Sequence, residues 1–129
     1  VAGSVLSDPI AGLFSLHLVH NTGGAWSMFS GATAALGVFS IVMCAALAAF
    51  AVYERARISW PELIGLGLVI GGGIGNAIDR FALGYVVDFI DLAFIDFPVF
   101  NIADIGVTCG LALFLISWIV RESQHKEVR

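Results

Sequence analysis

The sequence predicts an all-α polytopic membrane protein with three transmembrane helices and small extracytoplasmic β elements. Of its 129 residues, 59% are hydrophobic and only 12% are charged, whereas a soluble domain carries roughly 25% charged residues. The mean hydropathy of +0.96 agrees with this composition. A soluble fold of this size could not bury so much apolar surface, because small domains bury only part of the surface of their unfolded chain. Lipid is therefore the expected solvent, and the length allows a single membrane-embedded domain, residues 1–129.

Three apolar segments are long enough to span a bilayer, which takes about 20 residues in a helix. They run from Ala32 to Tyr53, from Pro61 to Ile78 and from Ile102 to Val120. Tryptophans lie close to the ends of these segments, where an aromatic belt is expected: Trp26, Trp60 and Trp118.

Basic residues indicate the orientation, because Lys and Arg of short loops prefer the cytoplasmic side. They follow the first and the third span: Arg55, Arg57, Arg121, Lys126 and Arg129. The first and third spans then run from outside to inside, and the stretch from Arg80 to Asn101 is extracytoplasmic.

This orientation leaves Val1 outside, although residues 1–12 lack the basic start and apolar core of a signal peptide. We therefore expect a further span ahead of Val1. The alternative is that a short N-terminal tail crosses the membrane unaided.

Two extramembrane stretches are typical of short strands. Residues Leu13 to His20 alternate in polarity, and Tyr85 to Ile90 is rich in β-branched and aromatic residues. Both are too short to be stable alone, so we expect them to pack on each other or on the membrane surface. Asp91 and Asp96 are interpreted as solvated loop charges.

The second span carries six glycines between Gly65 and Gly75. The steps from Gly67 to Gly71 and from Gly71 to Gly75 have the four-residue spacing that lets helices approach closely in lipid. No phosphate-loop pattern is present, so helix packing is preferred over nucleotide binding. Neither cysteine has the neighbours of a zinc site, and no basic patch indicates nucleic acid.

The polar residues gather at the outer ends of the spans, where their cost near lipid makes them informative. Asn76, Asp79 and Arg80 have i, i+3 and i+4 spacing and so share one helix face. Asp79 either supports a site or is held by Arg80 or by a neighbouring helix. Asn101 and Asp104 open the third span, and taken alone they are more typical of a helix cap than of a site.

Asp88 and Asp104 belong to the same side of the membrane in this topology. Asp88 lies in an apolar strand, where burial disfavours the charged form of a carboxyl group. Asp104 lies at a helix N-terminus, whose dipole favours an anion. Because environments that differ in this way divide acid and base roles between two carboxyl groups, we hypothesise that the two aspartates form an acid–base pair. The three histidines are interpreted as surface residues: His17, His20 and His125.

Four motifs occur in order along the chain: Asn21-Thr-Gly-Gly-Ala-Trp-Ser, Gly75-Asn-Ala-Ile-Asp-Arg, Val86-Val-Asp-Phe and Phe100-Asn-Ile-Ala-Asp. Together they resemble the bacterial lipoprotein signal peptidase family, signal peptidase II, over nearly the whole chain. The resemblance implies a multi-pass aspartic endopeptidase of the bacterial inner membrane with its active site at the extracytoplasmic face. Such an enzyme removes the signal peptide from diacylglyceryl-modified prolipoproteins by cutting just before the lipidated cysteine. The resemblance also implies a monomer without cofactor or metal that contacts membrane lipid and is inhibited by globomycin-type cyclic peptides.

The same resemblance implies roles for individual residues. Asp88 and Asp104 would be the catalytic pair, and Asp79 would support the site. The motifs also assign residues that line the substrate site: Asn21, Gly23, Asn76, Arg80 and Asn101.

The sequence departs from the family pattern in three respects. The family has four spans, and its first span carries an Asp-Gln-x-x-Lys-like element that residues 1–129 lack, so we expect that span to be missing here. The common N-x-G-A-A-F-S motif has Gly24 and Trp26 in this chain, and the loop between Asp88 and Asp104 is somewhat short.

Two other functions are considered. A small membrane transporter would carry an acidic residue near the bilayer midplane, where these spans have none. A non-enzymatic assembly protein would use the glycine-rich span as a packing face, but it leaves the outer cluster of Asn, Asp and Arg residues unexplained.

Overall fold

The computed structural model describes residues 14–21, 33–92 and 100–128 of the chain. Its elements in order are β1 (Phe14–Asn21), α1 (Thr33–Tyr53), α2 (Trp60–Leu83), β2 (Val86–Leu92) and α3 (Ile102–Val128). Helix α2 packs against both α1 and α3 and is the middle helix of the described part of the chain. The predicted fold class, a helical membrane protein with a small antiparallel strand pair, is confirmed.

All three helices are long and apolar enough to cross a membrane. Much of their apolar surface points away from the protein, as the exposed side chains of Phe39, Ile64 and Ile116 illustrate. The buried apolar residues in the described part of the chain are few: Cys44, Leu66, Ala77 and Val86. Exposed apolar surface of this extent is unfavourable in water, so these faces are suited to contact lipid.

Helix α2 has a clear start and stop. At its start the Oγ of Ser59 accepts a hydrogen bond from the backbone N–H of Glu62 at 3.4 Å. At its end Gly84 adopts a left-handed conformation with φ of 83° and donates its N–H to the carbonyl of Arg80, a geometry that glycine adopts without steric cost. The helix therefore continues beyond Ile78, the predicted end of the apolar span, and stops at this glycine.

Helix α3 begins at Ile102 as predicted but does not end at Val120. It continues to Val128, because residues 121–127 contain neither Gly nor Pro and include several strong helix formers. The apolar segment marked where the span ends, and the helix extends beyond it.

Helices α2 and α3 approach so closely that there is no room for a side chain at two positions along the axis of α2. A Cβ atom added to Gly65 would lie 2.6 Å from the carbonyl oxygen of Gly110. A Cβ atom added to Gly72 would lie 2.5 Å from the carbonyl oxygen of Ala103. The two α2 glycines are seven residues apart, about two helical turns, so they lie on one face.

The four-residue step from Gly67 to Gly71 was a wrong prediction of the contact face. A Cβ atom on either residue would meet nothing within 4 Å among the described residues, and both residues are exposed. A Cβ atom added to Gly75, the end of the second predicted step, would lie 3.9 Å from the Cβ of Ala103. Glycine spacing predicted close helix packing but did not identify the glycines that make it.

Strands β1 and β2 form an antiparallel pair with a register from Phe14 opposite Leu92 to Asn21 opposite Val86, with an irregularity between Leu16 and Val19. The prediction that the two strands pack on each other is confirmed. Each observed strand begins one residue later than predicted and extends further at its C-terminal end.

The extension of β2 corrects the interpretation of one acidic residue. Asp91 is not a loop charge, because it lies in β2 opposite Ser15 and is half-buried. Asp96 lies outside the described residues. After β2 the chain returns through an isolated bridge between Ile90 and Phe100, with N···O distances of 2.7 and 3.0 Å, which brings the start of α3 beside the strand.

Candidate active site

Asp88 is held on the inner face of β2. Val86 and Asp88 are each 2% exposed, whereas Val87 between them is half-buried, as the alternation of a strand requires. The strand contacts α2, so this inner face is directed toward the helices. A carboxyl group buried to this degree is costly unless it is hydrogen-bonded.

Asn101 and Asp104 form a reciprocal cap at the start of α3. The backbone N–H of Asp104 donates to Oδ1 of Asn101 at 3.0 Å, and the backbone N–H of Asn101 donates to Oδ2 of Asp104 at 3.1 Å. This is the capping box that the spacing predicted. The cap does not exclude a functional role, because each side chain also makes contacts outside α3.

The side-chain amide of Asn101 joins three elements of the fold. Its Nδ2 lies 3.0 Å from Oδ1 of Asp88, 3.0 Å from Oδ1 of Asn76 and 3.2 Å from the carbonyl oxygen of Val87. An amide nitrogen carries only two hydrogens, so at least one of them is shared between acceptors. The residue is 6% exposed, and its amide therefore fixes β2, α2 and α3 against one another.

Asn76 completes the connection between the two aspartates. Its Oδ1 accepts from Asn101, and its Nδ2 donates to Oδ1 of Asp104 at 2.9 Å. Asp88 and Asp104 are thus linked through two neutral amides, and both oxygens of Asp104 accept a hydrogen bond. We call these four residues the carboxyl–amide network.

Arg80 lies one turn after Asn76 on α2 and faces the same network. Its guanidinium interacts electrostatically with both Asp88 and Asp104, and its Nη1 is shielded from solvent. A single positive charge therefore lies close to two carboxyl groups. Asp79 is half-buried, and its carboxylate is in none of the hydrogen bonds found among residues 14–21, 33–92 and 100–128.

Two predicted site residues remain, and the structure describes only one of them. The backbone of Asn21 pairs with Val86, two residues from Asp88, whereas Gly23 lies outside the described residues. His20 is exposed and its ring stacks on Tyr85 with a centroid separation of 3.9 Å. It is opposite Val87, so it belongs to the face of the strand pair that points away from Asp88.

The network is suited to acid–base chemistry on a neutral substrate. It offers one carboxyl group on β2 and one at the start of α3, a nearby cation and amide groups that hold the carboxyl groups in place. Within the described part of the chain, no group of three or more His, Cys, Asp or Glu residues could hold a metal ion.

One buried charged pair was missed in the sequence. Glu62 is fully buried and forms an ion pair with Arg121 between α2 and α3. The Ser59-x-x-Glu62 spacing is a helix-start signal, but it could not reveal the distant partner, because Glu62 and Arg121 are far apart in the sequence.

Comparison with known proteins identifies relatives over most of the chain. Residues 2–120 match the family model described as signal peptidase (SPase) II. A lipoprotein signal peptidase from Gloeobacter violaceus is 44% identical over 113 residues, which are 88% of this chain and 65% of that protein. Another lipoprotein signal peptidase, from Parasynechococcus marenigrum, is 39% identical over 97% of this chain and 82% of its own length.

The fold is also similar to that of a solved bacterial membrane enzyme, whose structure was determined by the in meso method. The TM-score is 0.82 with 31% sequence identity, over 96% of this chain and 76% of that one. The chain thus spans about two thirds of the length of the Gloeobacter relative and three quarters of the solved structure.

Proposed function

Because the chain belongs to the signal peptidase II family, we propose that it is a membrane aspartic endopeptidase that removes the signal peptide from diacylglyceryl-modified prolipoproteins. Cleavage would fall just before the lipidated cysteine. The observation that carries this proposal is the carboxyl–amide network, in which Asn101 and Asn76 link Asp88 to Asp104.

In this proposal the two aspartates act as base and acid in peptide hydrolysis. One carboxylate takes a proton from a water molecule, which attacks the scissile carbonyl carbon. The other, protonated carboxyl group donates a hydrogen bond to the carbonyl oxygen, and a proton is passed to the nitrogen as the C–N bond breaks. Two neighbouring carboxyl groups share one proton readily, because both cannot be ionised cheaply.

The amides are suited to this chemistry because they position the carboxyl groups without adding charge. Asn101 donates to Asp88, and Asn76 donates to Asp104, so each carboxyl group is held by one side-chain amide. Arg80 supplies the compensating positive charge and, in this proposal, binds the backbone of the substrate. Asn21 and Gly23 would contact the substrate near the scissile bond, with Asp79 in a supporting role.

The location of the network supports a lipid-anchored substrate. It lies at the C-terminal end of α2 and the N-terminal end of α3, at one edge of the apolar spans. We propose that this edge faces the extracytoplasmic side of the bacterial inner membrane. The acyl chains of a prolipoprotein would then remain in the leaflet while its peptide reaches the aspartates, and globomycin-type peptides would compete for the same site. We also propose that the protein acts as a monomer.

The test of this proposal is an Asp-to-Asn exchange in the intact protein. Asn preserves the size of Asp but cannot exchange a proton, so D88N and D104N should each abolish cleavage of a lipidated prolipoprotein in membranes. The double variant should lose little more than either single variant, because removing one member disables the pair. D91N, which changes a half-buried aspartate three residues after Asp88 on the same strand, is the matched control and should cleave nearly normally.

Two outcomes would contradict the proposal. Near-normal cleavage by D104N, at normal membrane levels, would leave Asp104 as a helix cap, whose loss costs about 1 kcal/mol of stability and no activity. Unchanged prolipoprotein processing in both single variants would reject the aspartic mechanism altogether.

A further inference from the structure

The most deeply buried charged side chain among the described residues is Glu62, near the start of α2, with an exposed fraction of 0%. Both of its carboxylate oxygens are bound by Arg121 of α3, through Nε to Oε1 at 2.6 Å and Nη2 to Oε2 at 3.2 Å. The planar fork of an arginine matches a carboxylate in this two-bond geometry. The contact therefore fixes the relative position and orientation of two side chains from different helices.

A buried ion pair is weak evidence for stability, because desolvation of the two charges offsets much of their attraction. Its clearer effect is to disfavour arrangements in which the charges are separated, since Glu62 would then be fully buried without a partner. The pair at Glu62 and Arg121 lies at the opposite end of α2 and α3 from the carboxyl–amide network. The two helices are thus joined by polar contacts at both ends.

The spacing of these polar contacts agrees along the two antiparallel helices. Glu62 and Asn76 are 14 residues apart on α2, and Asp104 and Arg121 are 17 residues apart on α3, which correspond to about 21 Å and about 26 Å of helix. The side chain of Arg121 covers the remaining difference, because side chains in a helix lean toward its N-terminus. The register that joins Glu62 to Arg121 is therefore also the register that joins Asn76 to Asp104.

Between the two polar contacts the helices meet through glycine and backbone. At Gly65 against Gly110, and at Gly72 against Ala103, there is no room for even a Cβ atom. Such a surface permits close approach in lipid but offers few side chains that interdigitate. A slide of α3 by one residue, about 1.5 Å, would separate the hydrogen-bonded atoms at both ends.

We propose that the Glu62–Arg121 ion pair sets the axial register of α3 on α2 and thereby positions Asp104 against Asn76 at the other end of the helices. Glu62 and Arg121 are then positioning residues. Their effect on cleavage rests on the proposed function, whereas their effect on helix register does not.

Register is tested directly by a disulfide at the active-site end. The Cβ position of Gly75 lies 3.9 Å from the Cβ of Ala103, within the range that a disulfide requires. With Cys44 and Cys109 replaced by Ala, the G75C/A103C pair should cross-link efficiently in membranes. Adding E62Q should lower the cross-linked fraction several-fold, and the charge exchange E62R/R121E should restore it.

A control for general loss of an ion pair is available in R57Q. It removes a pair between Arg57 and Glu54 that does not join α2 to α3, so cross-linking should remain unchanged. If the charge exchange fails to accumulate in membranes, E62L/R121L replaces both charges with apolar side chains, a change that is often tolerated. This variant should fold but cross-link poorly, because no polar contact at that end selects the register.

Kinetics separate positioning from stability. For E62Q the kcat per folded enzyme should fall about 10- to 100-fold, the effect of misplacing a catalytic group by about 1 Å, while KM changes little. Normal cross-linking and normal kcat in both E62Q and E62L/R121L would overturn the proposal. If the unsubstituted protein cleaves no prolipoprotein, the proposed function fails, and the cross-linking comparison still decides the register.

Discussion

Replacement of Asn101 should distinguish the two roles that this residue combines. Its Oδ1 caps α3 by accepting from the N–H of Asp104, and its Nδ2 contacts Asp88, Asn76 and the carbonyl of Val87. Alanine removes both functions. Serine retains a helix-capping oxygen but is too short, and has the wrong shape, to connect the carboxyl–amide network.

The structure gives the size of each effect. Loss of a helix cap costs about 1 kcal/mol, and a buried group left without its donor costs about 1–3 kcal/mol. N101A should therefore be destabilised by about 2–4 kcal/mol, and N101S by about 1–3 kcal/mol, since its cap survives. Both variants release Asp88 from Asn76, so kcat should fall about 100-fold in each.

The assay is cleavage of a lipidated prolipoprotein by purified protein in lipid, with thermal unfolding measured on the same samples. The expected pattern is a smaller loss of stability in N101S than in N101A, with an equally large loss of kcat in both. A kcat for N101S close to that of the unsubstituted protein would show that the cap is the only role of Asn101. The carboxyl–amide network would then not depend on Asn101 for catalysis.

Three further predictions concern packing, substrate and topology. G65A places a methyl group 2.6 Å from a backbone oxygen and should lower stability by about 1–3 kcal/mol. G71A meets nothing within 4 Å among the described residues and should be neutral or slightly stabilising in a thermal unfolding measurement. R80K should raise KM for the prolipoprotein, because lysine lacks the planar fork of arginine; an unchanged KM would refute a role in substrate binding. A cysteine at position 96 should react with an impermeant reagent in intact membranes and one at position 55 only after lysis, and the reverse pattern would invert the proposed orientation.

The sequence predicted best those elements whose formation depends on a single physical property. The three spans were predicted because a bilayer requires a long apolar run, and α1 was placed within one residue of its observed start at Thr33. The strand pair was predicted because Leu13 to His20 alternates in polarity and Tyr85 to Ile90 is rich in β-branched and aromatic residues. In each of these segments the local pattern and the final environment agree.

The ends and faces of the helices were less predictable, because they depend on contacts and on single residues. Helix α2 ends at Leu83 rather than with the predicted apolar span, because the left-handed Gly84 stops the helix where the chain turns into β2. The α2 glycines that pack tightly against α3 are Gly65 and Gly72. Gly67 and Gly71 have the four-residue spacing typical of close helix packing, but among the described residues they face no other helix. Which face of α2 packs depends on where the partner helix lies.

The two asparagines of the network are a final case in which residue type alone leaves the role open. The family resemblance implies that Asn76 and Asn101 line the substrate site. In the structure both hydrogens of the Asn101 amide are directed to its three acceptors, so it could donate to a substrate only by releasing one of them. Asn76 uses one N–H for Asp104, and its second N–H takes part in none of the hydrogen bonds described for residues 14–21, 33–92 and 100–128. Asn76 is thus the better candidate for direct contact with the peptide, while Asn101 is better suited to hold Asp88 in place, which is why its replacement should reduce kcat more than it raises KM.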